Sequence, residues 1–453
     1  METCGLTAEY NPFHRGHARQ LGQIREIVGP DGGLVVCLSG PFCQHGVPAL
    51  LDKGTRAEIA LRQGADLVLE LPQAFAVASA ERFAEGAIET LLATGVVRRI
   101  AYGSECPEHH SAIREVAALL AEEPPELAEA IREGIRRGKG FAASRAEAAA
   151  RLSGGQAVLT ILQSPNAILA VEYEKALMKA RLRGDSNTAD GIATHALPLF
   201  EKEKYAASQI RRIIAAAQAC RDHERGQGRS GHLYQEICQY LTSVLPPEST
   251  AAVMQSFAEG RGLVTEEQMA PALLLSPLFR DTDALRRISG MQGGLAERLC
   301  GALRGDPLQC GRTDRREDAD PESPAPASPG SRERLPYDDF IRMMATRAFP
   351  ASRVRRAILA AAMHIESGSD ALCRQKPQYI RVLGFTRRGK RLLSFMRETS
   401  SLPVIINASD YRSLKEEAAR EQAGLDLYAQ ALWNHQAKLG DVNEFDRRVL
   451  QLR

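Results

Sequence analysis

The sequence predicts an α/β protein whose first and largest part is a doubly wound, mostly parallel sheet. Over residues 1–220, short apolar runs alternate with helical patterns, which is typical of strands and crossover helices in such a sheet. Residues 221–304 show mainly helical patterns, and another strand with several helices is predicted after residue 335. We therefore expect a Rossmann-like sheet domain, then a mainly helical region, then a small α/β module at the end of the chain.

Five strands are predicted in the first part from short apolar runs. Their ranges are Cys4–Ala8, Leu34–Leu38, Leu67–Leu71, Arg99–Tyr102 and Ile192–His195. Helices are predicted between and after them at Ala18–Val28, Lys53–Gln63, Glu81–Ala93, Pro125–Arg137, Ala167–Arg181 and Ala206–Ala219. Open parallel sheets bind their ligands at the carboxyl ends of the strands, so functional residues are expected in the loops that follow these strands.

The distal part of the chain is predicted from composition as much as from periodicity. Residues 305–335 are rich in Pro, Ser, Gly and charge and cannot bury enough apolar surface to order themselves, so we predict a flexible linker there. The final module is expected to contain helices at Tyr337–Ala345 and Ser352–His364 and a strand at Gln378–Leu383. The predicted domains are therefore 1–220, 221–304, 305–335 and 336–453.

Composition predicts a soluble globular protein that has neither a membrane span nor a disulfide framework. The chain has 453 residues, of which 44% are hydrophobic and 25% charged. It has no apolar run of about 18 residues and no secretion signal in its first ten, so we expect a cytoplasmic protein without a membrane span. The nine cysteines include no CxxC pair, which favours reduced thiols over a disulfide framework or a zinc site.

Charge is unevenly distributed along the chain. The 58 basic and 56 acidic residues nearly cancel, yet residues 341–400 contain 13 Lys and Arg against 3 Asp and Glu. A local excess of this size indicates a phosphate-rich partner. The basic helix contributes Arg353, Arg355 and Arg356, and the following strand and loop contribute Arg381, Arg387, Arg388, Lys390 and Arg391. A backbone-binding surface for folded RNA is therefore predicted here, the alternative being a solvated basic face.

The motif that carries chemistry lies between the first strand and the first helix. Residues 9–17 read EYNPFHRGH, with His14 and His17 on either side of Gly16. A helix that begins after a strand presents unpaired N–H groups that favour an anion, and glycine lets the backbone approach a phosphate. Two imidazoles here can direct donors at one phosphoryl group and stabilise the charge that builds on the α-phosphate as pyrophosphate leaves. The alternative is a pair of surface or capping histidines.

The placement of this motif resembles that in HIGH-type nucleotidyltransferases. That superfamily has a second motif in which a Ser or Thr and a basic residue open a late helix and hold phosphates. Ser208, Arg211 and Arg212 stand at the corresponding place, although Gln209 departs from the small residue that is usual there. The alternative for this segment is a solvated arginine pair on an amphipathic helix.

Longer stretches resemble one family, the bacterial tRNA(Met) cytidine acetate ligases. The resemblance covers nearly the whole chain outside 305–335 and is weaker at 346–359. Its stretches are GLTAEYNPFHRGHARQL at 5–21, SGPFCQHGVPALLDKGTRAEIAL at 39–61, LELPQAFAVASAERFAEGAI at 69–88, YGSE at 102–105, SPNAILAVEYEKAL at 164–177 and YIRVLGFTRRGKRLL at 379–393.

This resemblance implies an ATP-dependent ligase that makes acetyl-adenylate and transfers the acetyl group to N4 of the wobble cytidine of elongator tRNA(Met), forming N4-acetylcytidine. ATP, acetate and that tRNA would be its substrates, Mg²⁺ would arrive with ATP, and neither a protein metal site nor a stable protein partner is implied. His14 and His17 would be catalytic. The implied ATP-binding residues are Thr7, Ala8, Glu9, Tyr10, Asn11, Pro12, Phe13, His14, Arg15, Gly16, His17, Ala18, Arg19, Gln20, Gly103, Asn166, Ser208, Arg211 and Arg212.

Several residues keep two interpretations at this point. Gly103 is a ligand-admitting glycine or an ordinary turn glycine, and Asn166 is a nucleotide contact or a first-turn helix residue. Polar residues after the second strand are candidates to contact acetate or tRNA; these are Gln44, His45, Asp52, Lys53 and Arg56. The alternative for Asp52–Arg56 is a capped helix start with an internal ion pair. Cys106, His109 and His110 resemble a metal-binding cluster, but we expect them to lie in a solvated loop.

Two other function classes remain open from the residues alone. A small-metabolite adenylyltransferase would share the histidines and Arg211, but it leaves the basic distal part without a role. A non-catalytic RNA-binding factor would need no intact histidine pair.

Overall fold

A parallel sheet with an antiparallel extension organises the larger part of the structure. The computed structural model describes residues 1–153, 155–184, 189, 191–201, 203–224, 231–304, 335–367 and 375–452. Within these residues, the strands are β1 (Thr3–Ala8), β2 (Gly33–Ser39), β3 (Leu67–Leu71), β4 (Arg99–Ser104), β5 (Ala193–Pro198), β6 (Ile380–Phe385), β7 (Val404–Ile405) and β8 (Leu450–Gln451). They form one sheet in the order β5-β4-β1-β2-β3-β6-β7, and β8 also pairs with β6.

Strands β1 to β5 are mutually parallel, and β6 is antiparallel to β3. The chain moves outward from β1 to β2 and β3, then crosses back to β4 on the other side of β1. The gap between β1 and β4 is therefore the topological switch point, where doubly wound sheets bind ligands. This arrangement confirms the predicted mostly parallel α/β sheet and places the end of β1 beside the end of β4.

Up to Glu259, the α-helices that the structure describes lie between or after these strands. They are α1 (Arg15–Val28), α2 (Lys53–Arg62), α3 (Gln73–Ala76), α4 (Ala80–Ala93), α5 (His110–Glu122), α6 (Pro125–Arg136), α7 (Phe141–Ser153), α8 (Gln156–Gln163), α9 (Pro165–Arg183), α10 (Ala207–Glu224), α11 (Gly231–Val244) and α12 (Pro247–Glu259). The remaining helices are α13 (Glu266–Leu274), α14 (Thr282–Arg286), α15 (Leu295–Arg304), α16 (Tyr337–Met344), α17 (Ala351–Ala362), α18 (Arg387–Thr399) and α19 (Glu417–Gln436).

Alternation along the strands divides the core between the two faces of the sheet. On β2, Val35 and Cys37 belong to one apolar cluster with α4, α5 and α9, whereas Leu34, Val36 and Leu38 belong to another with α1 and α2. All five side chains are fully buried. A strand covered on both faces reads as a continuous apolar run, which is why the sequence signals these strands clearly.

Contacts within the chain group it into two compact units. The first comprises Met1–Gln44, Pro48–Thr265 and Ala371–Arg453, and contains the whole sheet. The second comprises His45–Val47 and Glu266–Asp370 and is helical, with Met269, Ile341 and Val354 fully buried in it. Among the helices that the structure describes, none has the length and apolar character to cross a bilayer.

This grouping differs from the division predicted from composition. The strand predicted at Gln378–Leu383 lies at Ile380–Phe385 and pairs with β3, with Glu70 opposite Arg381. Residues after 375 therefore belong to the sheet unit, whereas Tyr337–Met344 and Ala351–Ala362 belong to the helical unit. The predicted linker at 305–335 lies, apart from its last residue, outside the described residues. Independent folding of the predicted segments stays a prediction.

Candidate active site

The turn from β1 into α1 lies at the switch point and carries the two histidines. Helix α1 begins at Arg15, so His14 is its N-cap and His17 lies in its first turn. Leu21, Ile24 and Val28 form its buried face, which fixes the helix against the sheet. The first N–H groups of the helix lack carbonyl partners within it and carry the positive end of its dipole. This turn is therefore suited to bind a phosphate.

His14 and His17 form a stacked pair. Their ring centroids lie 3.6 Å apart with an interplanar angle of 17°. The backbone N–H of His14 donates to Nδ1 of His17 at 3.2 Å, so the His17 proton resides on Nε2 when the ring is neutral. Nδ1 of His14 is buried and has no hydrogen-bond partner among the described residues. The pair therefore retains polar atoms that protein groups do not satisfy.

Burial keeps both imidazoles neutral at neutral pH. It lowers the pKa of His14 to about 4, and burial followed by the neighbouring His14 holds the pKa of His17 well below the ordinary value. Neutral rings donate a hydrogen bond without a full charge that must be desolvated. Tyr205 adds an aromatic wall, with its ring centroid 6.0 Å from that of His14. Tyr205 could not be identified from the sequence, because its contact with His14 depends on where the start of α10 packs.

Two glycines lie in close contact with neighbouring side chains around this turn. A Cβ on Gly16 would lie 3.0 Å from Cε1 and Nδ1 of the His14 ring, so a side chain would push the ring. A Cβ on Gly103, at the carboxyl end of β4, would meet Leu199 at 2.7 Å and Gln20 Nε2 at 3.4 Å. Gly103 thus lies beside Gln20, in the second turn of α1, and its role as a nucleotide contact stays a prediction.

Asn11 holds the turn against the loop that follows β2. Its amide nitrogen donates to the carbonyl of Pro48 at 3.1 Å and lies 3.4 Å from Cys43 Sγ, while its amide oxygen accepts from Leu50 N at 2.7 Å. The Asn11–Pro12 peptide is cis. Glu9 ties the same two loops, because its carboxylate accepts from Gln44 N at 2.7 Å.

Other members of the predicted ATP loop shape it through packing. Phe13 is fully buried, and Tyr10, at φ +46°, places its ring 4.9 Å from that of His17. Arg15 donates to the carbonyl of Thr242 at 3.0 Å, and the guanidinium of Arg19 lies 4.7 Å from the Phe200 ring centroid. Thr7 and Ala8 end β1, and Pro12 and Ala18 carry no polar side-chain atom.

The second motif meets the first. Arg211, one turn into α10, donates from its guanidinium to the carbonyl of Asn11 at 2.9 Å. Its positive charge is therefore held beside the histidine turn, although 200 residues separate the two in sequence. Ser208 and Arg212 are exposed on the same helix, as is Gln209. The structure thus brings Arg211 to the site and leaves Arg212 on the solvent side.

Asn166 lies in the first turn of α9, and Glu105 holds it there. Its side-chain amide donates to Glu105 Oε1 at 2.8 Å, and Ala167 N donates to Glu105 Oε2 at 2.9 Å. Glu105 follows β4, so this contact joins the loop after Gly103 to the start of α9. Asn166 is both a first-turn helix residue and a neighbour of the switch-point loops. The sequence did not single out Glu105.

The polar residues after β2 form a buried framework. Arg56 is fully buried and donates to the carbonyls of Glu9 and Gly40 at 2.7 and 2.6 Å. Lys53 lies 2.9 Å from Glu70 and 3.0 Å from Glu444; burial lowers its pKa, but these carboxylates outweigh that effect and raise it above the ordinary value.

Asp52 is the N-cap of α2, because its carboxylate accepts from Gly54 N at 2.7 Å. It also pairs with Arg447 at 2.7 Å. The capped-helix interpretation is therefore the one that the contacts of Asp52, Lys53 and Arg56 favour. Gln44 and His45 also have interaction partners.

Three of the seven arginines predicted for the RNA-binding surface, Arg353, Arg355 and Arg356, lie in the helical unit. Arg355 pairs with Glu266 at 2.8 Å and also with Asp338. Arg353 donates to the carbonyl of Gln292 at 2.6 Å. Arg356 is half-buried, and burial together with Arg353 lowers its pKa.

Arg387 and Arg388 lie at the opposite edge of the sheet from the histidine turn. Because β6 runs antiparallel to β3, its last residue, Phe385, pairs with Leu67 at the amino end of β3. Helix α18 begins there, with Arg387 exposed and Arg388 3.2 Å from Asp66. Sequence proximity to a family-like stretch did not indicate which edge of the sheet these residues occupy.

No group of three or more His, Cys, Asp or Glu side chains in the described part of the chain is arranged to hold a metal ion. His110 lies 3.2 Å from Thr194 Oγ1 and 3.4 Å from the buried Glu174 carboxylate, which also accepts from Tyr102. The expected solvated loop is therefore wrong for Cys106, whose side chain is buried, and for His110, which begins α5 and is half-buried.

Comparison with known proteins identifies the family. The model of the HIGH Nucleotidyl Transferase family matches residues 1–306 and 331–444. The tRNA(Met) cytidine acetate ligase of Thermotoga petrophila is 33% identical over 416 residues, covering 90% of this chain and 88% of the relative. The enzyme of the same name from Acetivibrio thermocellus is 30% identical over 443 residues, covering 96% of this chain and 94% of the relative.

A solved structure agrees with this assignment. The crystal structure of Thermotoga maritima TmcAL bound with alpha-thio ATP matches with a TM-score of 0.82 and 31% identity, covering 100% of both chains. The apo form matches with a TM-score of 0.81 at 30% identity. With its histidine pair at the switch point and these similarities over its length, the chain belongs to the tRNA(Met) cytidine acetate ligase family of HIGH nucleotidyltransferases.

Proposed function

We propose that this protein activates acetate with ATP and transfers the acetyl group to N4 of the wobble cytidine of elongator tRNA(Met). In the first step, an acetate oxygen attacks the α-phosphorus, and pyrophosphate leaves to give acetyl-adenylate. In the second, the cytidine N4 attacks the acetyl carbonyl carbon, AMP leaves, and a proton is lost from N4. The observation that carries the proposal is the neutral, stacked His14–His17 pair at the switch point, with Arg211 bonded to the same turn.

The histidine pair suits the first step because negative charge builds on the α-phosphate oxygens in the transition state. His17 donates from Nε2, since its Nδ1 accepts the His14 backbone N–H at 3.2 Å. Donors fixed before reaction stabilise that charge without reorganising. Arg211 and the N-terminus of α1 add positive potential for the triphosphate. We propose that Gly103 and Asn166 also contact the nucleotide, because the end of β4 and the start of α9 lie beside the switch point.

Magnesium is proposed to enter with ATP. The described residues offer no cluster of three carboxylate, histidine or cysteine ligands, and Mg²⁺ usually takes phosphate oxygens and waters with few protein ligands. We therefore assign no protein group to the ion and derive no step from it.

The basic residues are proposed to contact tRNA phosphates, with unequal support. Arg387 is exposed, and among the described residues it has no ion pair that RNA binding would break. Arg353, Arg355 and Arg356 would bind phosphate only in competition with their protein contacts, such as the ion pairs of Arg355 with Glu266 and Asp338. If Arg387 contacts a phosphate, Arg387→Gln weakens tRNA binding and reduces its salt slope by about one. Binding that is unchanged across a salt series contradicts this contact.

The decisive experiment is nucleoside analysis of elongator tRNA(Met) incubated with the protein, ATP and acetate. Appearance of N4-acetylcytidine that requires both ATP and acetate supports the proposal. Acetate-dependent exchange of pyrophosphate into ATP tests the first step separately. Exchange that requires a phosphorylated metabolite in place of acetate would instead indicate a small-metabolite adenylyltransferase.

A further inference from the structure

Helix α19, near the end of the chain, carries hydrogen-bonding side chains along one buried face. Asp426, Gln430 and Trp433 follow one another at spacings of four and three residues, which places them on the same side of the helix. Their exposed fractions are 2%, 1% and 0%. A buried polar atom is costly without a partner, so the partners of this face show what the helix holds in place.

Two of these side chains hold the segment 48–52, which follows β2. Trp433 Nε1 donates to the carbonyl of Ala49 at 2.7 Å, and Gln430 Nε2 donates to Asp52 Oδ2 at 3.2 Å. Asp426 accepts from Gln73 N at 2.7 Å. The Gln73 side chain in turn accepts from Phe42 N at 3.3 Å, so α19 also fixes the start of the loop after β2.

The other side of the segment 48–52 bonds to the histidine turn. Asn11 donates to the carbonyl of Pro48 at 3.1 Å and accepts from Leu50 N at 2.7 Å. Ala49 therefore lies between two residues held by Asn11 while its own carbonyl is held by Trp433. Asn11 is three residues before His14, and its carbonyl accepts from Arg211. Hydrogen bonds on both sides of the segment 48–52 thus connect α19 to the histidine turn.

We propose that Trp433 is a positioning residue for adenylate formation, acting through the segment 48–52 and Asn11 on the placement of His14 and His17. The inference rests on the proposed function, because it concerns the same site. Catalysis of this kind depends on donor placement, and a displacement of about 1 Å can cost roughly a hundredfold in rate. The end of the chain therefore serves the ATP chemistry, in addition to any role toward tRNA.

The test is Trp433→Phe in the full chain, which removes the donor to Ala49 but keeps an aromatic ring. We expect kcat of acetate-dependent ATP–pyrophosphate exchange to fall by about tenfold, while KM for ATP changes by less than about twofold, because Arg211 and the N-terminus of α1 still bind the phosphates. Gln430→Leu, which removes the donor to Asp52 together with its bond to Asn434 within α19, should give a smaller loss of kcat in the same direction. This milder variant decides the matter if Trp433→Phe does not fold.

The matched control is Ile113→Val, which removes one methylene from a fully buried side chain in the cluster that contains α4, α5 and α9. It should leave the kinetics at wild-type values. Hydrogen exchange gives a readout that does not need activity: the Leu50 amide should exchange faster in Trp433→Phe and not in Ile113→Val. A double-mutant cycle with Asn11→Ala should show non-additive losses of kcat, since both residues act on one segment.

Two failures are distinguishable. If the wild-type protein shows no acetate-dependent exchange, the proposed function fails, and the Leu50 amide still tests the positioning. If the wild-type protein is active but Trp433→Phe matches Ile113→Val in kcat and in Leu50 exchange, the positioning role is overturned. Additive effects of Trp433→Phe and Asn11→Ala on kcat would also overturn it.

Discussion

His17 uses its two ring nitrogens for different purposes, and two substitutions separate them. Nδ1 accepts the backbone N–H of His14 at 3.2 Å, which caps the start of α1, whereas Nε2 is left to donate to the α-phosphate. In His17→Asn, the amide oxygen replaces Nδ1 but nothing reaches the position of Nε2. In His17→Gln, the amide nitrogen reaches toward the position of Nε2, and the capping acceptor is lost.

The expected magnitudes follow from these roles. His17→Asn loses a transition-state donor, which costs about 3–4 kcal/mol of barrier, or roughly 10²–10³ in kcat. It keeps the cap, so the free energy of unfolding should change little. His17→Gln loses a capping bond worth about 1 kcal/mol of stability. It should retain more of the turnover than His17→Asn.

Acetate-dependent ATP–pyrophosphate exchange measures kcat, and urea unfolding measures stability. The two variants should rank in opposite orders in the two assays, with His17→Gln more active and His17→Asn more stable. A His17→Asn variant that turns over within about threefold of wild type would refute the donor role, because a lost transition-state donor cannot cost so little. A lower activity for His17→Gln than for His17→Asn would refute the assignment of Nε2 as the donor.

Three further predictions concern the surrounding groups. Arg211→Met removes a cation and its 2.9 Å bond to Asn11, so KM for ATP should rise by at least about tenfold in exchange kinetics, and an unchanged KM would contradict its role. Lys53→Met leaves the buried Glu70 without its cation and should lower the free energy of unfolding by about 3–5 kcal/mol in urea, where a loss under about 1 kcal/mol would show that the pair contributes little. Burial lowers the pKa of His14 in the folded state to about 4, below the ordinary value of 6.5. Between pH 4 and pH 6.5 the unfolded state therefore binds more protons than the folded state. The stability that this group contributes is complete above pH 6.5 and is lost as the pH falls toward 4. The thermal midpoint should therefore fall from pH 7 to pH 5 less steeply in His14→Gln than in wild type, and equal slopes would contradict the assignment.

Local patterns predicted the elements that surround the site because buried strands and amphipathic helices have strong periodic signals. The third strand lies at Leu67–Leu71 as predicted, and the helix predicted at Lys53–Gln63 lies at Lys53–Arg62. The first helix begins at Arg15, three residues earlier than predicted, because His14 and His17 cap it with ring and backbone groups that helix propensity does not reveal. The chemistry of the histidine motif could also be predicted, because its residues are adjacent in sequence.

The pairing of strands that are distant in the chain could not be predicted from the sequence. The strand after residue 378 was predicted as part of a separate module, yet it pairs with β3, more than 300 residues earlier, and this pairing carries Arg387 and Arg388 to the amino edge of the sheet. A single sequence contains the apolar pattern of a strand but not the identity of its neighbour. The local charge excess likewise did not reveal that Arg355 is paired with Glu266.

By itself, the sequence determined the α/β class, the position of the histidine motif at a strand–helix turn, and the family resemblance, because all three are written in contiguous residues. Only the tertiary structure decided that the half-buried histidine rings have lowered pKa values, that Arg211 bonds to Asn11, and that Trp433 bonds to Ala49 in the segment 48–52. The physical reason is that burial, pKa and hydrogen-bond partnership depend on which distant residues meet, and long-range packing alone settles those meetings.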